Sequence, residues 1–193
     1  MNINPELKRM WQLALATLAV ILIVANVVTW AHPRYRLPRV SYASQLKADN
    51  RLRHPNLNHA SSVGKYPRLT NRGHLTLVAL PAQHRLYLTT NSKVLYACHA
   101  TVSRRLPQRT VISGSYGQQN VHVNHGQEST AVNWTSIGSH YYLESPQTIA
   151  GRTVHGNWIR NNVHLENAIL VSKADAHWLQ QLPTGTTVIV KSR

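Results

Sequence analysis

Three hydrophobic patterns follow one another along the chain. From Trp11 to Trp30, "WQLALATLAVILIVANVVTW", the sequence is apolar and carries no charge. At about 1.5 Å per residue, about twenty helical residues span roughly 30 Å, the hydrocarbon thickness of a bilayer. A Trp at each end suits the two interfaces. The stretch predicts a transmembrane anchor at residues 11–30 behind a cytoplasmic N-terminus at residues 1–10. The competing reading is a cleaved secretory signal ending in the "TWA" at 29 to 31, but its apolar part exceeds the usual length of about 7–15 residues.

The second pattern, residues 31–73, lacks sustained apolar periodicity and contains Pro33, Pro38, Pro55 and Pro67 among many Asn, Ser and Arg. Such a stretch buries too little apolar surface to offset the entropy of ordering it, so it predicts an exposed, flexible basic linker.

The third pattern begins at His74, where short runs rich in Leu, Val and Tyr alternate with turn residues. Residues 74–80, 84–90, 93–99, 130–134, 141–145, 167–172 and 186–192 read as strands. One helix is expected, Lys173–Leu182, with Ser172 as N-cap and Asp175 placed to complement the helix N-terminus. Pro183 and Gly185 stop it before the last strand. Residues 74–193 therefore predict one mainly β domain opening as a meander.

Charge widens the choice of partner. Lys and Arg number 21 against 6 Asp and Glu, a formal charge of +15 that attracts any polyanion. Nucleic acid, anionic lipid and acidic wall polymer all qualify. Nucleic acid is not expected, because the basic residues are spread along linker and domain and no recognition helix is evident. Cys98 is alone, which excludes an intramolecular disulfide or thiolate cluster, and reads as a small buried hydrophobe. His122 and His125 in "HVNH" invite a metal, but residues three apart on a strand point to opposite faces and no carboxylate or Cys is expected close to them. No metal site and no cofactor are expected.

The third segment also carries a set of motifs. Gln83 precedes "RLYL"; "ATVSRRLPQRT" contains Ser103; "VHG" stands at Val154, His155 and Gly156; "NAILVSKADA" leads into the helix; and "PTGTTVIV" closes the domain from Pro183 to Val190. Together these resemble the L,D-transpeptidase (YkuD) catalytic domain of bacterial cell-wall enzymes, over residues 74–193. The resemblance implies a YkuD-like β-sandwich with one short C-terminal helix, acting on peptidoglycan outside the membrane. The family segment S-H-G-C-I-R-L-S-N-x-D-A, anchored on Ile169, Ser172, Asp175 and Ala176, puts the nucleophilic Cys at Ala168, the Gly at Asn167, the His at Glu166 and the Arg at Leu170. A methyl group cannot attack a carbonyl.

The resemblance thus implies a degenerate site at His155, Gly156, His164 and Ala168, with Ser103, His155 and Gly156 retained for substrate binding. The implied protein is membrane-anchored, extracytoplasmic and inactive as a transpeptidase, and its partner is peptidoglycan or another anionic wall polymer. Lys8 and Arg9 before the span against Arg34, Arg36 and Arg39 after it would by themselves favour the opposite orientation. Two alternatives stand beside it: an active transpeptidase with a relocated nucleophile, Cys98 being the only thiol, and a polyanion-binding module.

Overall fold

A computed structural model describes residues 5–31, 37, 40–69, 74–124, 126–154, 157–159 and 167–191. The chain divides into two compact units, residues 1–35 and 36–193. The first holds α1 (Pro5–Ala31), 27 residues long. Its described side chains end at Ile23, and over the described residues no helix is long and apolar enough to cross a membrane.

In the second unit the chain order is α2 (Tyr42–Asp49), β1 (Thr76–Leu80), β2 (Arg85–Thr89), β3 (Val94–His99), β4 (Thr101–Val102), β5 (Arg109–Asn124) and β6 (Gln127–Ile137). Then come β7 (Tyr141–Glu144), β8 (Thr148–Ile149), β9 (Arg152–Thr153), β10 (Ala168–Leu170), α3 (Lys173–Leu179) and β11 (Thr187–Val190). The strands form one hydrogen-bonded path, β3-β2-β1-β11-β5-β6-β7-β10-β4, with β8 and β9 beside β6. Two neighbouring pairs are parallel, β1 with β11 and β7 with β10. The class is mainly β, a mixed sheet with few helices, as the alternation from His74 onward implies.

The path turns within β5. Arg109–Val111 pair with β11, whereas the strand from Ile112 onward pairs with β6, and the register slips between Ile112 and Tyr116. Gly114 supplies the turn with φ +91°, a conformation that a side chain rarely adopts, and a Cβ there would overlap the Thr184 side chain. Both halves of the path therefore bury residues in one core: Leu77, Leu86 and Leu88 from the first, Ile112, Ile137, Leu143 and Ile169 from the second. Trp178 and Leu179 of α3 complete it. Each such side chain contributes about 1.5–3 kcal/mol when removed from water.

Ser172 caps α3 as expected, its side chain accepting from the Asp175 amide at 3.1 Å. The helix is shorter than the sequence implies, ending at Leu179 instead of Leu182.

The expected linker is corrected over residues 37–69, which belong to the folded unit. Leu37, Ala48 and Leu69 are buried. The Leu37 amide donates to Gln45 Oε1 at 3.1 Å. Ser44 Oγ accepts from the Val94 amide at 2.9 Å, pinning α2 to β3. Tyr66 stacks on Trp178 with ring centroids 4.7 Å apart. Beneath lies Asp175, fully buried. Its carboxylate accepts from Ser61 N at 3.1 Å, Ser61 Oγ at 2.5 Å, Tyr66 Oη at 2.9 Å and Tyr96 Oη at 3.1 Å. Polar contacts to buried partners, together with a few scattered apolar residues, order this segment; hydrophobic periodicity registers neither.

Candidate functional site

The position expected to hold a nucleophile lies on the parallel β7–β10 pair. Ala168 is opposite Tyr142, Ile169 opposite Leu143, and Leu170 opposite Glu144. Side chains alternate across a strand. Leu143 and Ile169 therefore enter the main core, while Tyr142, Glu144, Ala168 and Leu170 share the other face. On that face Ala168 is 5% exposed and packs in a separate apolar cluster with Trp158, Ile159 and Leu170, with Leu57 against it. Thr101 Oγ1 donates to the Trp158 carbonyl at 2.5 Å, and the Lys173 amide to the Leu57 carbonyl at 2.7 Å, so one covering segment is tied to β4 and the other to the start of α3.

Ser103 lies next to this position. Its amide donates to the Ala168 carbonyl at 3.0 Å, its Oγ accepts from the Arg105 amide at 3.1 Å, and the residue is buried. The structure thus brings Ser103 and Ala168 together through the backbone. His155, Gly156 and His164 lie outside the described residues.

The same face holds a polar group that the sequence does not announce. Glu144 is fully buried. Asn120 Nδ2 donates to its Oε2 at 2.7 Å. His122 Nε2 lies 3.0 Å from Oε1 and 3.2 Å from Oε2, straddling the carboxylate. Only the Oε2 contact has hydrogen-bond geometry, and Oε1 has no hydrogen-bond partner among the described residues. Trp134 stands edge-on to Tyr142, centroids 5.7 Å apart, and donates its indole N–H to the Gln119 carbonyl. The expectation that His122 has no carboxylate near it is thereby corrected, since the β5–β6–β7 meander delivers one from 22 residues away. The available signal was Glu144 itself, an acid in the strand run "YYLE" of a chain with few acids.

This face thus gathers the Asn120–Glu144–His122 hydrogen-bond group and the Trp134–Tyr142 aromatic pair. No Ser, Thr or Cys side chain is hydrogen-bonded to the His122 ring among the described residues. Many of the solved structures similar to this chain are L,D-transpeptidases. The enzyme from Mycobacterium smegmatis is 15% identical, with 62% of this chain and 59% of that one covered at a TM-score of 0.47. L,D-transpeptidase 1 of Mycobacterium tuberculosis is 19% identical, with 60% of each chain covered at a TM-score of 0.45. A fused Zn-dependent amidase/peptidase/peptidoglycan-binding domain-containing protein from Clostridium acetobutylicum is 14% identical, with 77% and 58% covered at 0.47. This chain thus spans about three fifths of the length of these solved chains. No protein-family model matches the sequence, and no curated protein matches it. At such identities and TM-scores, any functional reading rests on the chain's own residues.

Of the elements the sequence resemblance rests on, the described residues form the β10 strand, the Ser172 cap with Asp175, and the closing strand β11. Cys98, the only thiol in the sequence, is on β3 and buried in the main core. Burial, followed by the nearby Asp175 charge, pushes its thiol well above the usual value. A buried protonated thiol is a poor nucleophile. Among the described residues no group of His, Cys, Asp and Glu could hold a metal ion.

Proposed function

We propose that the chain is an L,D-transpeptidase-like protein of the bacterial cell wall that has lost transpeptidase chemistry and binds or organises peptidoglycan. The observation that carries this reading is Ala168. It stands where the motif places the nucleophile, offers only a methyl group, and is covered by Trp158 and Ile159. The neighbouring face, with Glu144, His122, Asn120, Tyr142 and Trp134, supplies hydrogen bonding and aromatic surface for a ligand without a group to attack it. The uncharged stretch Trp11–Trp30 supports a single-pass anchor, and a wall-facing role requires the folded unit outside the membrane.

The test uses the full chain in a neutral detergent, because a fragment starting at residue 74 would lose Ser61, Tyr66 and Leu69 from the fold. The protein is incubated with disaccharide-tetrapeptides and an acceptor, the products are weighed by mass spectrometry, and binding to insoluble peptidoglycan is followed by cosedimentation at moderate salt. The expected result is no release of D-alanine together with cosedimentation. A cross-linked product would overturn the loss of chemistry, and failure to cosediment would remove the binding role.

A further inference from the structure

A hollow of about 150 Å³ opens on the second unit between α2, the segment around Ser62–Pro67 and β3. Lys47 from α2 and Arg51 from the turn that follows it line the hollow together with Lys65, above a floor that includes Ala48, Val94 and Tyr96. All three cations are exposed. None of them makes an ion pair or a side-chain hydrogen bond among the described residues, where the one ion pair is His122 with Glu144. No carboxylate lines the hollow. The two acids close to it in the fold are engaged elsewhere: Asp49 accepts from the Tyr87 hydroxyl at 2.7 Å, and Asp175 is enclosed by Ser61, Tyr66 and Tyr96.

Three like charges around one concavity repel each other, and that arrangement is relieved by an anion with several oxygens. A single carboxylate is satisfied by one guanidinium fork. Two ammonium groups and a guanidinium lining one hollow from two segments suit instead a tetrahedral anion carrying up to two charges. We infer that this hollow binds a phosphate group, presented either as a soluble phosphate ester or as a lipid headgroup. The site is separate from the Ala168 face and does not depend on the transpeptidase-like reading. Its cations all come from the stretch that hydrophobic patterning assigns to a free linker, so the ordering of residues 37–69 is what creates it.

The full chain in neutral detergent is titrated with inorganic phosphate at fixed ionic strength, chloride making up the difference, and binding is read by calorimetry. Saturable binding is expected for the wild type. The variant K47A/R51A/K65A should bind at least about tenfold more weakly, a factor equivalent to about 1.4 kcal/mol. The variant R104A/R109A/R152A, with the same net charge and three exposed cations removed elsewhere, should bind like the wild type. Lys65→Ala alone leaves α2 untouched and should already weaken binding two- to three-fold, about half the logarithmic effect of the triple change. Absence of saturable binding, or equal weakening in both triple variants, would overturn the site and leave only diffuse charge attraction. Repeating the titration in micelles doped with phosphatidylglycerol identifies the source. Displacement of phosphate by the lipid marks a headgroup site, and persistence of phosphate binding marks a soluble ester; either result sustains the phosphate site.

Discussion

Asp175→Asn should destabilise the protein by about 2–4 kcal/mol, with no change at the surface. Four donor contacts converge on the Asp175 carboxylate, from Ser61 N, Ser61 Oγ, Tyr66 Oη and Tyr96 Oη. The amide is nearly isosteric, and its remaining oxygen can still serve the two tyrosines. Its NH2, however, then faces the Ser61 amide. Ser61 Oγ can turn to accept, although it already accepts from the His99 amide at 3.0 Å; the Ser61 N–H cannot. The change therefore converts hydrogen bonds to a charged acceptor, about 1.5–3 kcal/mol each, into neutral ones and leaves the buried Ser61 N–H only its long 3.4 Å contact to the remaining oxygen, at a cost of up to about 1–3 kcal/mol. A chain of this kind has only about 5–15 kcal/mol to lose. Urea unfolding of the full chain in detergent measures the total. Trypsin gives the local readout: Arg51, Arg53, Lys65 and Arg68 all lie in the segment that Asp175 holds, and in the variant they should be cut before the β core unfolds. Ser61→Ala combined with Asp175→Asn should be less destabilising than the sum of the two single changes, because the two residues share one contact. A loss below about 0.5 kcal/mol with unchanged resistance to trypsin would refute the claim that this carboxylate fixes residues 37–69.

Three further outcomes follow from the same geometry. Ala168→Cys restores a thiol at the motif position but leaves it under Trp158 and Ile159, so mass analysis of muropeptides should still show no release of D-alanine; restored turnover would mean that the cover opens. Burial lowers the pKa of His99 from 6.5, opposed by its hydrogen bond to the Arg53 carbonyl. The neutral ring is the form that fits, Nε2 donating to that carbonyl at 2.7 Å and Nδ1 accepting from Arg85 at 2.8 Å. Protons therefore bind the unfolded chain preferentially, and stability is complete above pH about 6.5 and declines as the pH falls below it. His99→Gln, which can keep both contacts, should flatten that decline without abolishing it, because burial and then Arg85 also lower the pKa of His84; an unchanged slope would exclude His99 as a source. Gly114→Ala should cost about 1–2 kcal/mol for the left-handed backbone and more for the overlap with Thr184, read as a lower urea midpoint; a neutral effect would show that β5 does not need its bend.

The strands from β1 to β3, the closing strand and the capped helix were legible because each couples alternation or a cap to a nearby turn signal. The long β5 was not, since "RTVISGSYGQQNVHVN" interrupts its alternation with Gly114 and Gly117 and exposes Val121 and Val123. Gly117 looks like a breaker in sequence, yet it makes room for the Trp134 indole, which a Cβ would approach within 2.6 Å of Nε1. The pair of His122 and Glu144 was invisible for another reason: pairing of antiparallel strands brings together residues whose separation in the chain has no fixed period. Residues 37–69 escaped because what holds them is a set of scattered contacts to distant strands and to a buried acid in α3, far along the sequence.

The two fully buried acids, Glu144 and Asp175, place negative charge inside the fold and serve donors from other segments. Asp49 likewise is engaged by a tyrosine. Half of the six acids in the sequence are thus spent on internal or partly internal contacts. Among the described residues this leaves Lys47, Arg51 and Lys65 without an intramolecular counter-charge, a state that costs stability through self-repulsion and is relieved when an external anion supplies the missing charge. A net charge of +15 over a nearly acid-free surface is therefore best understood together with a polyanionic surrounding. On the proposed reading of an inactive wall-binding protein, the charge and Ala168 fit one picture: a fold that does not turn over peptide can carry basic hollows such as that of Lys47, Arg51 and Lys65, and be held in place by what it binds.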